Sequence, residues 1–216
     1  MQKVRVKICC ISSVKEAKLA IKYGADALGL VGNMPSGPGV ISDDLIHEIS
    51  KAVPPPISTF LLTSETEAKN IIEHYKKVQT TTIQLVDEIE PSHYQMIRNE
   101  LPHVKLVQVL HVQGEESIQE SKDVSEYVDA ILLDSGNPNL AVKELGGTGR
   151  THDWEISRAI RETTSIPVFL AGGLNASNIK KAVSIVKPFG VDLCSGVRSD
   201  GNLDENKIHQ FFEALH

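Results

Sequence analysis

The stretch VRVKICCISSVKEAKLAIKYGADALGLV, residues 4–31, decides the fold. Its opening alternates, with Val4, Val6 and Ile8 on one face and Arg5, Lys7 and Cys9 on the other, as the two-residue period of a strand requires. SVKEAKLAIKYG then reads as a helix, with Ser13 as its N-cap and Gly24 as its stop. ADALGLV is a second, more continuously apolar strand. Strand, helix and strand in so short a span imply parallel neighbours joined by a crossover.

The same alternation repeats to the end of the chain. SDDLIHEISKAV is a helix capped by Ser42 or Asp43 and ended by Pro54 to Pro56. ISTFLL is followed by SETEAKNIIEHYKKV, TTIQLV by PSHYQMIRNEL, and VKLVQVL by GEESIQESKDVSEY. DAILLD leads through a glycine-rich loop into HDWEISRAIRETT, IPVFLAGG into NASNIKKAVSIV, and GVDLCSGV towards DENKIHQFFEALH. Eight strand–helix pairs predict an α/β fold, a single (β/α)8 TIM barrel occupying residues 1–216. A doubly wound open sheet is the main rival, and the number of units favours closure. No composition shift or linker marks a second domain.

Bulk properties narrow the function. A net charge of −6 argues against nucleic acid or an anionic membrane as the main partner, so an anionic ligand must be held by local dipoles and a few cations. No apolar run approaches the roughly 20 residues that span a bilayer. The start lacks the pattern of a signal peptide, and three cysteines do not make a disulfide framework. A cytoplasmic protein, monomer or homodimer, is expected.

In such a barrel, chemistry sits at the C-terminal ends of the strands. Cys9, Cys10, Asp134, Gly172, Gly173, Cys194, Ser195 and Gly196 all fall there. AGGLNASN and CSGV follow strands seven and eight, the two loops that often hold a phosphate, and their glycines let backbone N–H groups approach a ligand. Gly172, Gly173, Ser195 and Gly196 are the candidate phosphate ligands. GGTGR, Gly146 to Arg150, brings Gly147 towards the same region. The plainer reading is that these glycines only end strands.

Cys9 lies at the mouth, with Lys7 two positions earlier on the same face, about 7 Å away by strand rise. A nearby cation favours thiolate, which makes Cys9 a candidate base and Lys7 a candidate partner of the ligand. Buried cysteine also occurs as a small hydrophobe, and a vicinal Cys9–Cys10 disulfide requires a strained peptide. Asp134 ends AILLD on the face of Ala130 and Leu132. It fits a general acid raised by burial and equally a cap for the turn DSGN. Asp192 reads as a wall residue, and His111, at the end of strand five, could touch a ligand, although a lone histidine is more often structural.

Taken together, KICCIS, GADALGLV, TIQL, LLDS with GGTGRTHDW, LAGGLNASNI and GVDLCSGV resemble the phosphoribosylanthranilate isomerase family. The similarity runs from residue 3 to the closing helix. It implies an Amadori rearrangement in tryptophan biosynthesis, in which the phosphorylated aldosylamine of anthranilate becomes a ketose without a cofactor, with Cys9 as base and Asp134 as acid. The chain departs from the family pattern in several places. Gly39 stands near the place of an arginine that holds the anthranilate end, Val86 replaces a histidine, Cys10 replaces a glycine, and Cys194 replaces a small residue. A related isomerase of another phosphorylated sugar or amine, and a non-catalytic barrel that binds a phosphometabolite, remain as alternatives.

Overall fold

The computed structural model describes residues 3–136 and 151–216. Eight parallel strands close in sequence order into a barrel: β1 (Arg5–Ile8), β2 (Ala27–Val31), β3 (Ser58–Thr63), β4 (Thr82–Leu85), β5 (Lys105–His111), β6 (Ala130–Asp134), β7 (Val168–Leu170) and β8 (Gly190–Leu193). Each is followed by a helix: α1 (Val14–Tyr23), α2 (Asp43–Ala52), α3 (Ala68–Val78), α4 (Pro91–Glu100), α5 (Glu116–Ser125), α6 (Trp154–Thr163), α7 (Ile179–Val186) and α8 (Glu205–Leu215). β1 pairs with both β2 and β8, Lys7 lying opposite Asp192 and Ile8 opposite Leu193, so the first and last units share a seam.

Side-chain alternation separates two cores. Val6, Ile8, Leu28, Leu30, Leu61, Ile83 and their equivalents face outward and pack under the helices. Inside the barrel, Ala27, Phe60, Val107, Ala130, Leu132 and Phe169 form a second apolar cluster. Phe60 and Phe169 meet edge to face with centroids 6.1 Å apart. The outward and inward assignment of the Val4–Cys9 stretch is the one its alternation predicts.

The expected caps form. Ser13 Oγ accepts the Glu16 N–H at 3.1 Å while Glu16 Oε2 accepts the Ser12 N–H at 3.0 Å, a reciprocal arrangement close to a capping box. Gly24 closes α1 with φ +108°, and Ser42, rather than Asp43, caps α2. One feature was not expected. Between β8 and α8 the chain makes a 3₁₀ turn at Ser195–Val197 and then a hairpin of β9 (Arg198–Ser199) and β10 (Asn202–Leu203). Asp200 and Gly201 take φ of 50° and 78°, both positive as a tight hairpin turn demands, and the Asp–Gly dipeptide is its sequence signal.

Candidate active site

At the C-terminal end of the barrel the side chains stop filling the interior and leave a cavity of about 700 Å³, counting its open mouth. Cys9, Asp134, Gly172, Gly173 and Ser195 all line it. Cys9 comes from the end of β1, Asp134 from the end of β6, and the glycines and serine from the loops after β7 and β8, so residues far apart in sequence converge because each terminates a strand. Gly147 lies outside the described residues. Lys7 and Gly196 do not form the wall.

Lys7 lies below the cavity, fully buried, with its Nζ 2.8 Å from Asp192 Oδ2 and 5.3 Å from the centre of the Phe60 ring. Burial pushes its pKa down, but the Asp192 carboxylate outweighs this and the net direction is up, so it stays charged. Its contribution to the cavity is therefore a fixed positive charge beneath the floor. Gly29 makes room for it: a Cβ there would stand 2.8 Å from Cys9 Sγ and 3.1 Å from Lys7 Nζ. Thiol and ammonium thus share one small space that any side chain at position 29 would invade.

Asp134 caps its turn and also reaches the cavity. Its Oδ1 accepts the Ser135 N–H at 2.7 Å, the turn-capping role, and the same carboxyl lines the cavity. Burial raises its pKa, against the opposing effects of the Ser135 N–H and the Lys7 charge, which favours the protonated form. Asp192, expected as a wall residue, lines the cavity as well, and its Oδ1 has no hydrogen-bond partner. A second buried acceptor, Gln84 Oε1, is likewise unpaired in the same cavity. His111 is on the inward face of β5, opposite Asp134 in register, but does not line the cavity.

The two glycine loops are built against each other. Gly172 and Gly173 take φ of 81° and 60°, conformations open to glycine at little cost. Asn178 Nδ2 and Asn175 Nδ2 donate to the Gly173 carbonyl at 2.9 and 3.2 Å, anchoring the loop. Gly196 packs so closely on this loop that a Cβ would stand 2.0 Å from the Leu174 carbonyl oxygen. Its role in the described geometry is close approach of backbones, and the asparagines are functional supports that a reading of glycines alone missed.

Arg198 was also missed. Its guanidinium is buried and bonds the Glu16 carboxylate at 3.0 and 3.1 Å, the Gly201 carbonyl at 2.9 Å, and the carbonyls of Cys9 and Cys10. It therefore fastens the backbone on which the catalytic candidate sits to the loop after β8. Cys10 adopts φ +62°, the left-handed conformation natural to the glycine it replaces. Its Cβ occupies the space beside Gly39: a Cβ at position 39 would stand 2.5 Å from it. Side chains at positions 10 and 39 therefore compete for one space. The wall on that side, Val31, Met34, Ser36, Gly37 and Pro38, is uncharged.

Fold and cavity define the class, a (β/α)8 barrel enzyme whose mouth joins a thiol, a protonatable carboxyl and two glycine loops. The family model described as N-(5′-phosphoribosyl)anthranilate (PRA) isomerase matches residues 6–214. N-(5′-phosphoribosyl)anthranilate isomerase 2 of Methanosarcina mazei is 37% identical over 96% of this chain and 92% of its own. The isomerase of Nostoc punctiforme is 34% identical over 98% of each. Among solved structures, the Thermotoga maritima enzyme superposes with a TM-score of 0.84 at 29% identity, covering 99% of this chain and 98% of its own. A phosphoribosyl anthranilate isomerase in complex with reduced 1-(o-carboxyphenylamino)-1-deoxyribulose 5-phosphate gives 0.82 at 28% with the same coverage. The chain belongs to the N-(5′-phosphoribosyl)anthranilate isomerase family.

Proposed function

We propose that this chain converts N-(5′-phosphoribosyl)anthranilate to 1-(2-carboxyphenylamino)-1-deoxyribulose 5-phosphate, with Asp134 as general acid and Cys9 as general base. The observation that carries the reading is that Cys9, Asp134 and both glycine loops line one cavity. The Asp134 carboxyl gives its proton to the furanose ring oxygen, the C1–O bond opens, and the anthranilate nitrogen forms a Schiff base with C1. The Cys9 thiolate takes the proton from C2, and the electron pair moves to the imine to give an enolamine. Tautomerisation gives the ketone at C2 and leaves the amine on C1. Gly172, Gly173 and Ser195 would present backbone N–H groups to the phosphate, which fixes the sugar between acid and base. The free Oδ1 of Asp192 would accept from a sugar hydroxyl, and Lys7 would set a fixed positive charge beneath the floor. Among the described residues no helix is long and apolar enough to cross a membrane, and a cytoplasmic monomer or homodimer acting on a small phosphorylated substrate fits this role.

The test follows anthranilate fluorescence after freshly made phosphoribosylanthranilate is added. Wild-type protein should convert it rapidly, and Cys9→Ala should lose about 10³-fold in turnover, within the range for a positioned acid or base. Conversion at an undiminished rate in Cys9→Ala would remove the thiol from the mechanism. No conversion by the wild type, with inorganic phosphate still raising its melting temperature, would point to another phosphorylated substrate.

A further inference from the structure

The three cysteines do not play one part. Cys10 and Cys194 stand on opposite sides of the β1–β8 seam, one in the loop leading to α1 and the other at the end of β8. Their sulfur atoms lie 2.9 Å apart, within about 1 Å of the length of a disulfide bond. Both line the cavity, Cys194 half-buried and Cys10 buried, so a small oxidant entering the mouth reaches Cys194 first. Cys9 is a neighbour of Cys10 as well, and its sulfur borders the space over Gly29.

We infer that Cys10 and Cys194 form a reversible disulfide that slows the enzyme by drawing the first loop onto the phosphate loop. The co-reactant is a low-molecular-weight disulfide such as oxidised glutathione. The Cys194 thiolate, its proton gone to solvent, attacks one sulfur of that disulfide, and the first glutathione leaves as thiolate. Cys10 then attacks the Cys194 sulfur and gives up its proton as the second glutathione departs as a thiol. Two protein thiols are oxidised to one disulfide, and one glutathione disulfide is reduced to two thiols. The hydrogen bond between the two sulfurs raises the Cys10 thiol and, with the Arg198 charge, lowers the Cys194 thiol against the effect of burial, which suits Cys194 as the attacking group.

The consequence follows from what the two cysteines adjoin. Cys194 precedes Ser195, which lines the cavity, and Cys10 follows Cys9. Shortening the sulfur–sulfur distance to about 2.05 Å pulls both segments together across the cavity wall, and misplacement on the order of 1 Å costs about 10²-fold in rate.

The experiment titrates the native enzyme with oxidised and reduced glutathione, counts free thiols and maps the bond by non-reducing peptide mass spectrometry. Expected are one remaining thiol of the three, a Cys10–Cys194 peptide pair, at least a tenfold loss of turnover, and full recovery with dithiothreitol. Cys10→Gly and Cys194→Ser, each compared with its own untreated activity, should be insensitive to the oxidant. Three thiols remaining at every glutathione ratio, or Cys9 in the mapped bond, overturns the pairing. A mapped Cys10–Cys194 bond with unchanged turnover overturns the switch. The turnover arm rests on the isomerase reading, whereas the thiol count and mapping do not, so failure of one is distinguishable from failure of the other.

Discussion

At the scale of single residues, environment divides the labour among the carboxylates. Burial raises both Asp134 and Asp192 in the cavity they share, but Asp192 holds Lys7 while Asp134 caps its own turn. An acid must carry its proton to work, so turnover should persist below the raised pKa of Asp134 and fall as pH rises through it. A kcat–pH profile checks this. Its descending limb should lie above the ordinary aspartate value of about 3.9, and a limb at that value would disqualify Asp134 as the acid. Asp134 was legible in the sequence because it ends an apolar strand. The division between the two aspartates was not, because it depends on which of them Lys7 reaches.

At the scale of elements, the loops around the mouth are fastened to one another. The Glu16 carboxylate is pushed up by burial but held lower, on balance, by the bonds from Arg198 and from the N–H groups of Leu203 and Ser12. A carboxylate whose folded pKa is depressed stabilises the fold above its unfolded pKa, about 4.3. That contribution disappears as pH falls through the folded value. Glu16→Gln should therefore melt lower at neutral pH and lose less on acidification than wild type, as paired thermal melts at pH 7 and about pH 4 would reveal. Equal slopes would remove the ion pair from the acid response. The second element-scale expectation concerns Cys10 and Gly39. Gly39→Arg should destabilise the wild type by at least about 1 kcal/mol more than it destabilises Cys10→Gly, the coupling of residues in contact. Denaturant unfolding of the four proteins in that cycle measures it, and additivity within about 0.5 kcal/mol would refute the crowding between them. The sequence exposed both substitutions as departures from the family pattern but not their connection, because 28 residues of chain lie between two positions that touch only after β1 and β2 pair.

At the scale of the whole molecule, closure of the barrel is where a buried charge becomes tolerable. Lys7 and Asp192 are 185 residues apart in sequence and meet because β1 lies beside β8. Removing one partner of a buried pair strands the other, at a cost of about 3–5 kcal/mol. Asp192→Asn should accordingly lower the melting temperature by roughly 10 °C, given the stability change that one degree represents in a domain of this size. A melting temperature within a degree or two of wild type would show that Lys7 is held by other means.

What the sequence by itself determined is what depends on short range. Alternation set the strands and their inward faces, caps and breakers set the helices, and eight repeats of one unit set the barrel and so the end at which chemistry collects. That was enough to bring forward Cys9, Asp134, Gly172, Gly173 and Ser195. Tertiary structure alone decided the rest: Lys7 beneath the floor, Arg198 across Cys9 and Cys10, Asn175 and Asn178 behind the Gly173 carbonyl, and Cys10 against Cys194. The most distant of these contacts join the two ends of the chain, and local propensity carries no information about them. They exist because a closed sheet must place its last strand beside its first, and a contact made by closure belongs to the fold as a whole.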